Sequence, residues 1–200
     1  MTDTTTHPRR LAPDDLVLRP NETLLVVVDL QERLLAAMPE ADRERVVRNA
    51  TRLVTGVSML DVPVLYTEQY PRGLGPTVGE VATALRNANA AKVEKVEFDA
   101  CRNADFGALL ERHRDRRSIV LAGVEAHVCV HQTARSLVGA GHVVHVVADA
   151  ACSRDPRNAR IAEGLWAAAG ALVSCTETVL FDLVGVGSGE TFKAISRLVR

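Results

Sequence analysis

The sequence predicts an α/β fold, a three-layer domain in which a six-stranded, mostly parallel, doubly wound sheet carries helices on both faces. Three observations lead to this prediction. Short runs of apolar and β-branched residues recur along the chain, beginning with Thr23–Val28. Helical segments with one apolar face separate these runs, and polar residues follow where most of the runs end. Strands that are buried on both faces and alternate with helices are typical of a parallel sheet that is covered on both sides.

The strands are predicted from continuous apolar runs. Each run is short, rich in Val, Leu, Ile or Ala, and bounded by polar or turn residues. The six predicted strands are 23–28, 62–67, 91–96, 118–122, 142–148 and 171–174.

The helices are predicted from apolar residues that recur at helical spacing. In the first of them, 41–60, the apolar stripe includes Val46, Leu53 and Val57. The predicted helices are 41–60, 78–86, 106–113, a helix with Cys129 in its first turn, 157–168 and 190–199. The Gly- and Pro-rich segment 71–76 is predicted to be a loop.

Length and composition indicate one domain and a small-molecule partner. The chain has 200 residues, which is enough for a single core. We expect residues 21–200 to form one domain, and residues 1–20 to form a polar arm on its surface or on a neighbouring subunit. With 24 basic and 25 acidic residues and no strong basic run, neither nucleic acid nor a membrane is expected as a partner. The Val- and Ala-rich surface and the arm together predict a homo-oligomer.

Cysteine usage predicts a reducing compartment. The four cysteines are scattered, with no CxxC pair among them. The first residues are polar and lack the apolar segment of a secretory signal, and no run of about 18 apolar residues could span a bilayer. We therefore expect reduced thiols and a cytoplasmic protein.

The candidate nucleophile is Cys129. It follows the fourth predicted strand and lies in the first turn of a helix, where free N–H groups lower the pKa of a thiol. Open parallel sheets also place their ligand crevice at the carboxyl ends of the strands. A lone cysteine is more often a small buried hydrophobic residue, and this is our interpretation of Cys101, Cys152 and Cys175.

Asp29 and Lys95 are candidates to act with Cys129. The first and fourth strands of a doubly wound sheet are neighbours, so Asp29 at the end of the first strand could approach Cys129. A carboxylate can take the proton of a thiol, and a lysine near the end of the third strand can hold the resulting charge. Taken alone, Asp29 could instead cap a turn, and Lys95 could be a solvated charge at a strand end.

A resemblance to a known family rests on five segments in order: VVVDLQERLL (26–35), TEQYPRGLGPT (67–77), EKVEF (94–98), GVEAHVCVHQTA (123–134) and GHVVHVVADAACSR (141–154). They resemble the isochorismatase-like cysteine hydrolases, a family that includes nicotinamidases and N-carbamoylsarcosine amidase. The second segment is similar to the subgroup described only as isochorismatase domain-containing hydrolases. The resemblance implies Asp29 as proton acceptor, Lys95 as anchor and Cys129 as nucleophile. It also implies a six-stranded parallel sheet and cleavage of an amide or similar C–N bond through a thioester.

Two departures from the family's best-known members narrow the chemistry. Metal-dependent nicotinamidases carry an Asp-x-His motif after the second strand, where this chain has Glu68-Gln69-Tyr70. True isochorismatases, which cleave a vinyl ether, lack the cysteine that this chain has. His127 and His131 lie four residues apart but have no apparent third partner, and a zinc site needs three or four ligands. We therefore expect neither a metal nor a cofactor.

The resemblance also predicts an oxyanion hole. Addition of a thiolate to a carbonyl creates a negative oxygen, which preorganised backbone N–H groups stabilise best. Cys129 would supply one N–H group. The family has a cis peptide bond just before the nucleophile helix, which falls between Val124 and Glu125 here and would direct the Glu125 N–H group to the same point.

The sequence thus predicts a metal-independent cysteine hydrolase that acts on a small amide-like substrate. Gln31, Gln69, Tyr70 and Phe98 are predicted to line its pocket. Two alternatives remain from other classes of protein. One is a non-enzymatic small-molecule-binding protein on the same fold, and the other is a redox sensor in which Cys129 reacts with peroxide.

Overall fold

The computed structural model describes residues 12–200, in which six strands form one parallel sheet in the order β3-β2-β1-β4-β5-β6. All five neighbouring pairs of strands are parallel. The strands are β1 (Thr23–Val28), β2 (Val64–Gln69), β3 (Ala91–Lys95), β4 (Ser118–Val124), β5 (Val143–Cys152) and β6 (Leu172–Ser174). The predicted six-stranded α/β fold is confirmed, and its sheet is parallel throughout.

Helices cover both faces of this sheet. They are α1 (Glu32–Ala36), α2 (Glu40–Ser58), α3 (Pro71–Leu74), α4 (Gly79–Asn87), α5 (Ala104–Arg112), α6 (His131–Gly139), α7 (Pro156–Ala168), α8 (Thr176–Val184) and α9 (Gly189–Val199). Within residues 12–200, none of them is long and apolar enough to cross a membrane.

Three helical segments were not predicted: α1, α3 and α8. The segment predicted as a loop, 71–76, contains α3, which is a single turn, and α1 is only about one turn long. Helix α8 is nine residues of mostly apolar and β-branched sequence, and such short runs show no clear helical period. Its start is defined by a distant residue, since the Asp149 carboxylate accepts hydrogen bonds from both the N–H and the hydroxyl of Thr176.

The core consists of two apolar layers, one on each side of the sheet. Side chains of β1 alternate between them: Val27 belongs to the layer under α2, α4, α8 and α9, and Val26 to the layer under α5, α6 and α7. Phe106 of α5 and Trp166 of α7 are the largest buried side chains of the second layer. Every residue of β1 is buried, which explains why this strand has no polar face in the sequence.

The described part of the predicted arm, residues 12–20, contacts the domain. Leu18 is buried, and its N–H group donates to the Asp182 carboxylate of α8 at 2.7 Å. Asp15 forms an ion pair with Arg117. Residues 1–11 of the predicted arm lie outside the described residues.

Strands β1 and β4 are neighbours, as predicted. After β3 the chain crosses back over the sheet, and the later strands β4, β5 and β6 are added on the other side of β1. Val28, the last residue of β1, is aligned with Gly123 of β4. The two strands come so close here that a Cβ atom on Gly123 would lie 2.0 Å from the Val28 carbonyl oxygen. Gly123 also has φ +131°, a conformation that side-chain-bearing residues rarely adopt. The close approach of the ends of β1 and β4 therefore requires glycine at position 123.

We expect Gly123→Ala to destabilise the protein strongly, because overpacking against Val28 and the unfavourable φ angle each cost about 1–3 kcal/mol. Gly107→Ala is the control, since a Cβ atom at Gly107 in α5 meets nothing within 4 Å and should add about 0.5–1 kcal/mol of stability. Chemical denaturation of both variants measures the difference. Equal stabilities would show that the two strands can separate at Gly123.

Candidate active site

Asp29 directly follows β1 and is fully buried. Its φ of +54° lies in the left-handed region, which Asp tolerates better than most residues. Two main-chain hydrogen bonds hold this conformation: the Asp29 N–H donates to the Thr67 carbonyl at 3.1 Å, and the Asp29 carbonyl accepts from the Gln31 N–H at 2.8 Å. The carboxylate therefore has a defined position at the end of the central strand.

Both oxygens of the Asp29 carboxylate are hydrogen-bonded. Oδ1 accepts from the Thr67 hydroxyl at 2.6 Å, and Oδ2 accepts from Lys95 Nζ at 2.7 Å. The Asp29 and Lys95 side chains are both 0% exposed. Lys95 is therefore not a solvated charge at a strand end but half of a fully buried ion pair.

Lys95 is the last residue of β3, two strands away from β1. Besides its bond to Asp29, its ammonium group donates to Gln69 Oε1 at 2.6 Å and to the Glu97 carbonyl at 3.2 Å. An ammonium group has three protons, and each of them has a partner within the protein. Lys95 thus holds Asp29 in place and has no further proton to offer to a bound molecule.

Cys129 is 6% exposed and lies in a π-helical turn, Ala126–Val130, which leads directly into α6. Burial and the negative charge of Asp29 raise the pKa of the Cys129 thiol to about 12, although the Lys95 charge acts in the opposite direction. The predicted lowering of the Cys129 pKa is therefore wrong. The helix start gives too little stabilisation to a thiolate that is shielded from water and next to a carboxylate.

Two neighbours act on the thiol in opposite directions. The Asp29 carboxylate raises the pKa of Cys129, and the backbone N–H of Glu125 lowers it. The structure thus brings together Asp29, Lys95 and Cys129, the three residues predicted to act as a unit.

The peptide bond between Val124 and Glu125 is cis, as predicted. The Glu125 side chain points to other partners: Oε1 lies 3.0 Å from Arg154 Nε, and Oε2 lies 3.7 Å from His127 Nδ1. His127 in turn contacts the buried Ser153 hydroxyl at 2.9 Å. Glu125 therefore contributes its main chain, and not its carboxylate, to the surroundings of Cys129.

Gln31 was predicted to line the pocket, but the structure places it in a supporting position. It is fully buried, and its amide donates to the carbonyls of Gln69 and Gly75 at 3.0 and 2.7 Å. Its Oε1 accepts from the Gln69 N–H at 2.7 Å. Because both amide protons are used, Gln31 ties the end of β2 to the segment that follows α3.

Gln69 is likewise buried, and its side-chain amide forms hydrogen bonds within the protein. Its Oε1 accepts from Lys95, and its Nε2 donates to the Val96 carbonyl at 2.7 Å. The structure therefore places this predicted pocket residue beside Lys95, where it orients the ammonium group.

Tyr70 and Phe98 are more than half exposed, at 55% and 54%. Tyr70 lines a cleft of about 320 Å³ together with Arg72, Val96 and others, and this cleft reaches Lys95. A larger groove of about 480 Å³ on α2 and the start of α4 includes none of the candidate residues. Of these two cavities only the smaller one touches a residue of the ion pair, although the Lys95 side chain is buried and neither Asp29 nor Cys129 lines the cleft.

Thr67 is a site residue that the sequence analysis missed, because it was treated as the last residue of a strand. It is 1% exposed and contacts Asp29 through both its hydroxyl and its carbonyl. One signal could have revealed it. Thr67 and Gln69 are separated by two positions and so lie on the same face of β2, where they are polar residues at the end of an apolar strand.

The residues at the place of the Asp-x-His motif are engaged elsewhere. Glu68 Oε1 accepts from both the N–H and the hydroxyl of Thr77 at 2.8 Å, and Oε2 lies 3.4 Å from Lys92 Nζ. Across residues 12–200, no group of three or more His, Cys, Asp or Glu side chains is arranged to hold a metal ion.

Comparison with known proteins identifies the family. The model of the isochorismatase domain matches residues 23–178. A buried cysteine beside an Asp–Lys pair, on a six-stranded parallel sheet, defines the class of site, and the match shows that the chain belongs to the isochorismatase family. It is a hydrolase of that family.

Several relatives cover nearly the whole chain. Isochorismatase family protein 1A of Dictyostelium discoideum is 32% identical over 89% of this chain and 86% of its own length. The structure named MAR1 ribonuclease, from Caenorhabditis elegans, is 32% identical, covers 92% of both chains and has a TM-score of 0.84.

Two solved YcaC proteins are also similar. The one from Pseudomonas aeruginosa, described with hexane-2,5-diol and covalent acrylamide, is 25% identical, covers 90% of both chains and has a TM-score of 0.83. The one from Escherichia coli, described as an octameric hydrolase of unknown specificity, covers 92% of this chain and 89% of its own, with a TM-score of 0.84. At 23% identity, this second likeness shows the fold alone.

We expect Asp29→Asn to lower the pKa of Cys129 from about 12. The substitution removes the negative charge beside the sulfur and leaves the Lys95 charge uncompensated, and both changes favour the thiolate. Thiolate absorbance near pH 9, just above the ordinary thiol pKa of about 8.5, should therefore be larger in the variant than in the unaltered protein. Cys129→Ser, alone and combined with Asp29→Asn, corrects for the other three cysteines. An unchanged titration would mean that Asp29 does not act on the sulfur.

Proposed function

We propose that this hydrolase cleaves an amide-like C–N bond of a small molecule through a thioester on Cys129, without a metal ion. The observation that carries the proposal is the fully buried Asp29–Lys95 pair, whose carboxylate is near enough to the Cys129 thiol to raise its pKa. A buried carboxylate that contacts a thiol on one side and an ammonium on the other is suited to accept the thiol proton.

The reaction begins with a neutral thiol. As the sulfur approaches the substrate carbonyl, its proton passes to the Asp29 carboxylate and a C–S bond forms. Because the pKa of the resting thiol is raised to about 12, the thiolate forms only as it attacks. Lys95 stays protonated and keeps Asp29 in position throughout.

The carbonyl oxygen then becomes an oxyanion, which we assign to the backbone N–H groups of Glu125 and Cys129. The Glu125 N–H lowers the pKa of the Cys129 thiol and so favours negative charge near the sulfur. The Glu125 carbonyl accepts from the N–H groups of Val128 and Val130, the residues on either side of Cys129. This arrangement supports a role for the Cys129 N–H in binding the oxyanion.

Collapse of the intermediate breaks the C–N bond. The amine leaves with the proton held by Asp29, and the acyl group remains on Cys129 as a thioester. A water molecule then attacks the thioester and gives one proton to Asp29. The C–S bond breaks and the acid is released, and the proton returns from Asp29 to the freed sulfur, which restores the starting state.

The surroundings of Cys129 favour a small substrate. The sulfur is nearly enclosed, and we assign the exposed Tyr70 and Phe98 rings as the apolar surface that a substrate would contact. The P. aeruginosa YcaC structure is described with covalent acrylamide, a molecule of this size, which supports a small ligand but does not indicate which bond is cleaved.

Two other functions fit the observations less well. The C. elegans relative is named a ribonuclease, but a net charge of −1 without a basic run favours a small molecule over nucleic acid. A peroxide-sensing cysteine needs a low thiol pKa, whereas burial and Asp29 raise the pKa of Cys129.

We also propose that the protein is a cytoplasmic homo-oligomer. Ile161 and Leu165 on α7 and Val173 on β6 are exposed apolar residues, and the E. coli YcaC structure is octameric. All four cysteines are free, which supports a reducing compartment.

We expect Cys129→Ala to abolish turnover, and Asp29→Asn and Lys95→Ala each to lower it by about 10²-fold or more. The double variants should be barely worse than the single ones, because the three residues act as one unit. A panel of amides, assayed for a stoichiometric burst of amine, identifies a substrate for these measurements. Mass spectrometry then locates the acyl adduct on Cys129, and Cys175→Ala is the matched control that should keep both burst and adduct.

Two outcomes of this experiment would contradict the proposal. Full amidase activity in Cys129→Ala would exclude the cysteine mechanism. Sulfenate formation on Cys129 with no acyl adduct from any amide, ester or aldehyde would favour the redox function instead.

We expect exhaustive dialysis against a chelator to leave the turnover rate unchanged. Glu68 and Gln69 stand where a metal motif would be, and they are already bonded to Thr77 and Lys95. We therefore assign every step of the proposed reaction to protein groups. Metal analysis of the purified protein accompanies the assay. A rate that falls on dialysis and returns with zinc or iron would contradict this expectation.

A further inference from the structure

The hydroxyl of Thr67 is placed against the carboxylate that the proposed reaction uses as a base. It donates to Asp29 Oδ1 at 2.6 Å, the oxygen that Lys95 does not bind. The carbonyl of the same residue accepts from the Asp29 N–H at 3.1 Å. Thr67 therefore fixes both the main chain and the side chain of Asp29, and it is 1% exposed.

We propose that Thr67 is a positioning residue that orients the Asp29 carboxylate toward the Cys129 thiol and donates a hydrogen bond to its charged form. This inference rests on the proposed function, in which Asp29 accepts the thiol proton. Thr67 does not itself touch the reacting atoms, and it acts through Asp29.

The physical argument concerns the charge of Asp29. The titratable groups that face it among residues 12–200 are Lys95 from β3 and Cys129 from the turn after β4, and Thr67 from β2 is the neutral donor between them. A hydrogen bond donated to a carboxylate favours its charged form. Loss of the Thr67 hydroxyl would therefore make Asp29 easier to protonate, and a protonated Asp29 cannot take the proton of Cys129.

A second part of the argument concerns geometry. With Oδ2 held by Lys95 alone, the carboxylate could rotate about the bond that joins it to Cβ. The bond to Thr67 on Oδ1 prevents this rotation. A hydroxyl can also accept a hydrogen bond, so Thr67 can remain bonded to Asp29 while the carboxyl group carries the thiol proton.

The experiment needs no knowledge of the substrate. Iodoacetamide alkylates Cys129, and peptide mapping follows its rate at a series of pH values. If Asp29 assists the thiol, the alkylation rate falls at low pH as Asp29 takes up a proton. We call this falling part of the pH–rate profile the acid limb. In Asp29→Asn this limb should be absent, and the rate should follow the thiol's own ionisation.

Thr67→Val has nearly the same shape as threonine but lacks the hydroxyl. We expect it to move the acid limb of Cys129 alkylation to higher pH, because a hydrogen bond donated to a carboxylate favours its charged form. Thr67→Ser keeps a hydroxyl and should restore the original limb. Thr67→Ala provides a second variant without the hydroxyl if Thr67→Val does not fold.

Thr23→Val is the matched control. Thr23 is also buried, and its hydroxyl donates to the Arg19 carbonyl at 2.7 Å, but it lies at the opposite end of β1 from Asp29. Its replacement should reduce stability without moving the acid limb. A merely structural role for Thr67 would have the same result.

The outcomes separate this inference from the proposed function. An acid limb that depends on Asp29 but has the same position in Thr67→Val, Thr67→Ala and the unaltered protein would overturn the role of Thr67 and leave the proposed function intact. A limb that persists in Asp29→Asn, or a Cys129 no more reactive than Cys101, would overturn the proposed function and this inference with it.

Discussion

The buried ion pair between Lys95 and Asp29 is the interaction on which the arrangement of the site depends. Removing two charges from water is costly, and an ion pair offsets this cost only with good geometry and further hydrogen bonds. Here Lys95 adds bonds to Gln69 and to the Glu97 carbonyl, and Asp29 adds one from Thr67. Loss of one partner from such a pair typically costs about 3–5 kcal/mol, so the strands that carry these residues must keep their register. The order β3-β2-β1 places β2 between the two charges, and Thr67 and Gln69 of β2 connect them.

The same ion pair determines the state of Cys129. A cysteine at a helix start would ordinarily favour its thiolate, but this sulfur is enclosed and faces an anion, so the pKa of Cys129 is raised to about 12. The Lys95 charge is directed at Asp29 and compensates only in part. In the resting site the proton is therefore on the Cys129 sulfur and the negative charge is on Asp29. A buried, protonated thiol reacts slowly with oxidants, because the thiolate is the reactive form.

The four residues predicted to line the pocket divide into two groups. Gln31 and Gln69 are buried and use their amide groups to hold main chain and Lys95. Tyr70 and Phe98 are exposed and remain available to a bound molecule. All four are residues that could bind a substrate, and only burial separates the two groups. Residues near the same sheet edge can therefore serve either to support the site or to contact its ligand.

Most of the fold followed from the sequence, because strands that are buried on both faces have to be apolar along their whole length. This is why β1, β4 and their neighbours could be recognised, and why the parallel sheet and the meeting of Asp29 with Cys129 could be predicted. Helix α8 could not, because its start depends on Asp149, which is 27 residues away along the chain. The motif residues Asp29, Lys95 and Cys129 were likewise identifiable, and so was the cis bond after Val124. Only the tertiary structure decided the direction of the Cys129 pKa shift, the supporting positions of Gln31 and Gln69, and the contact of Thr67 with Asp29. Each of these depends on how completely neighbouring strands exclude water and on which side chain faces which, and those properties arise only when distant segments pack together.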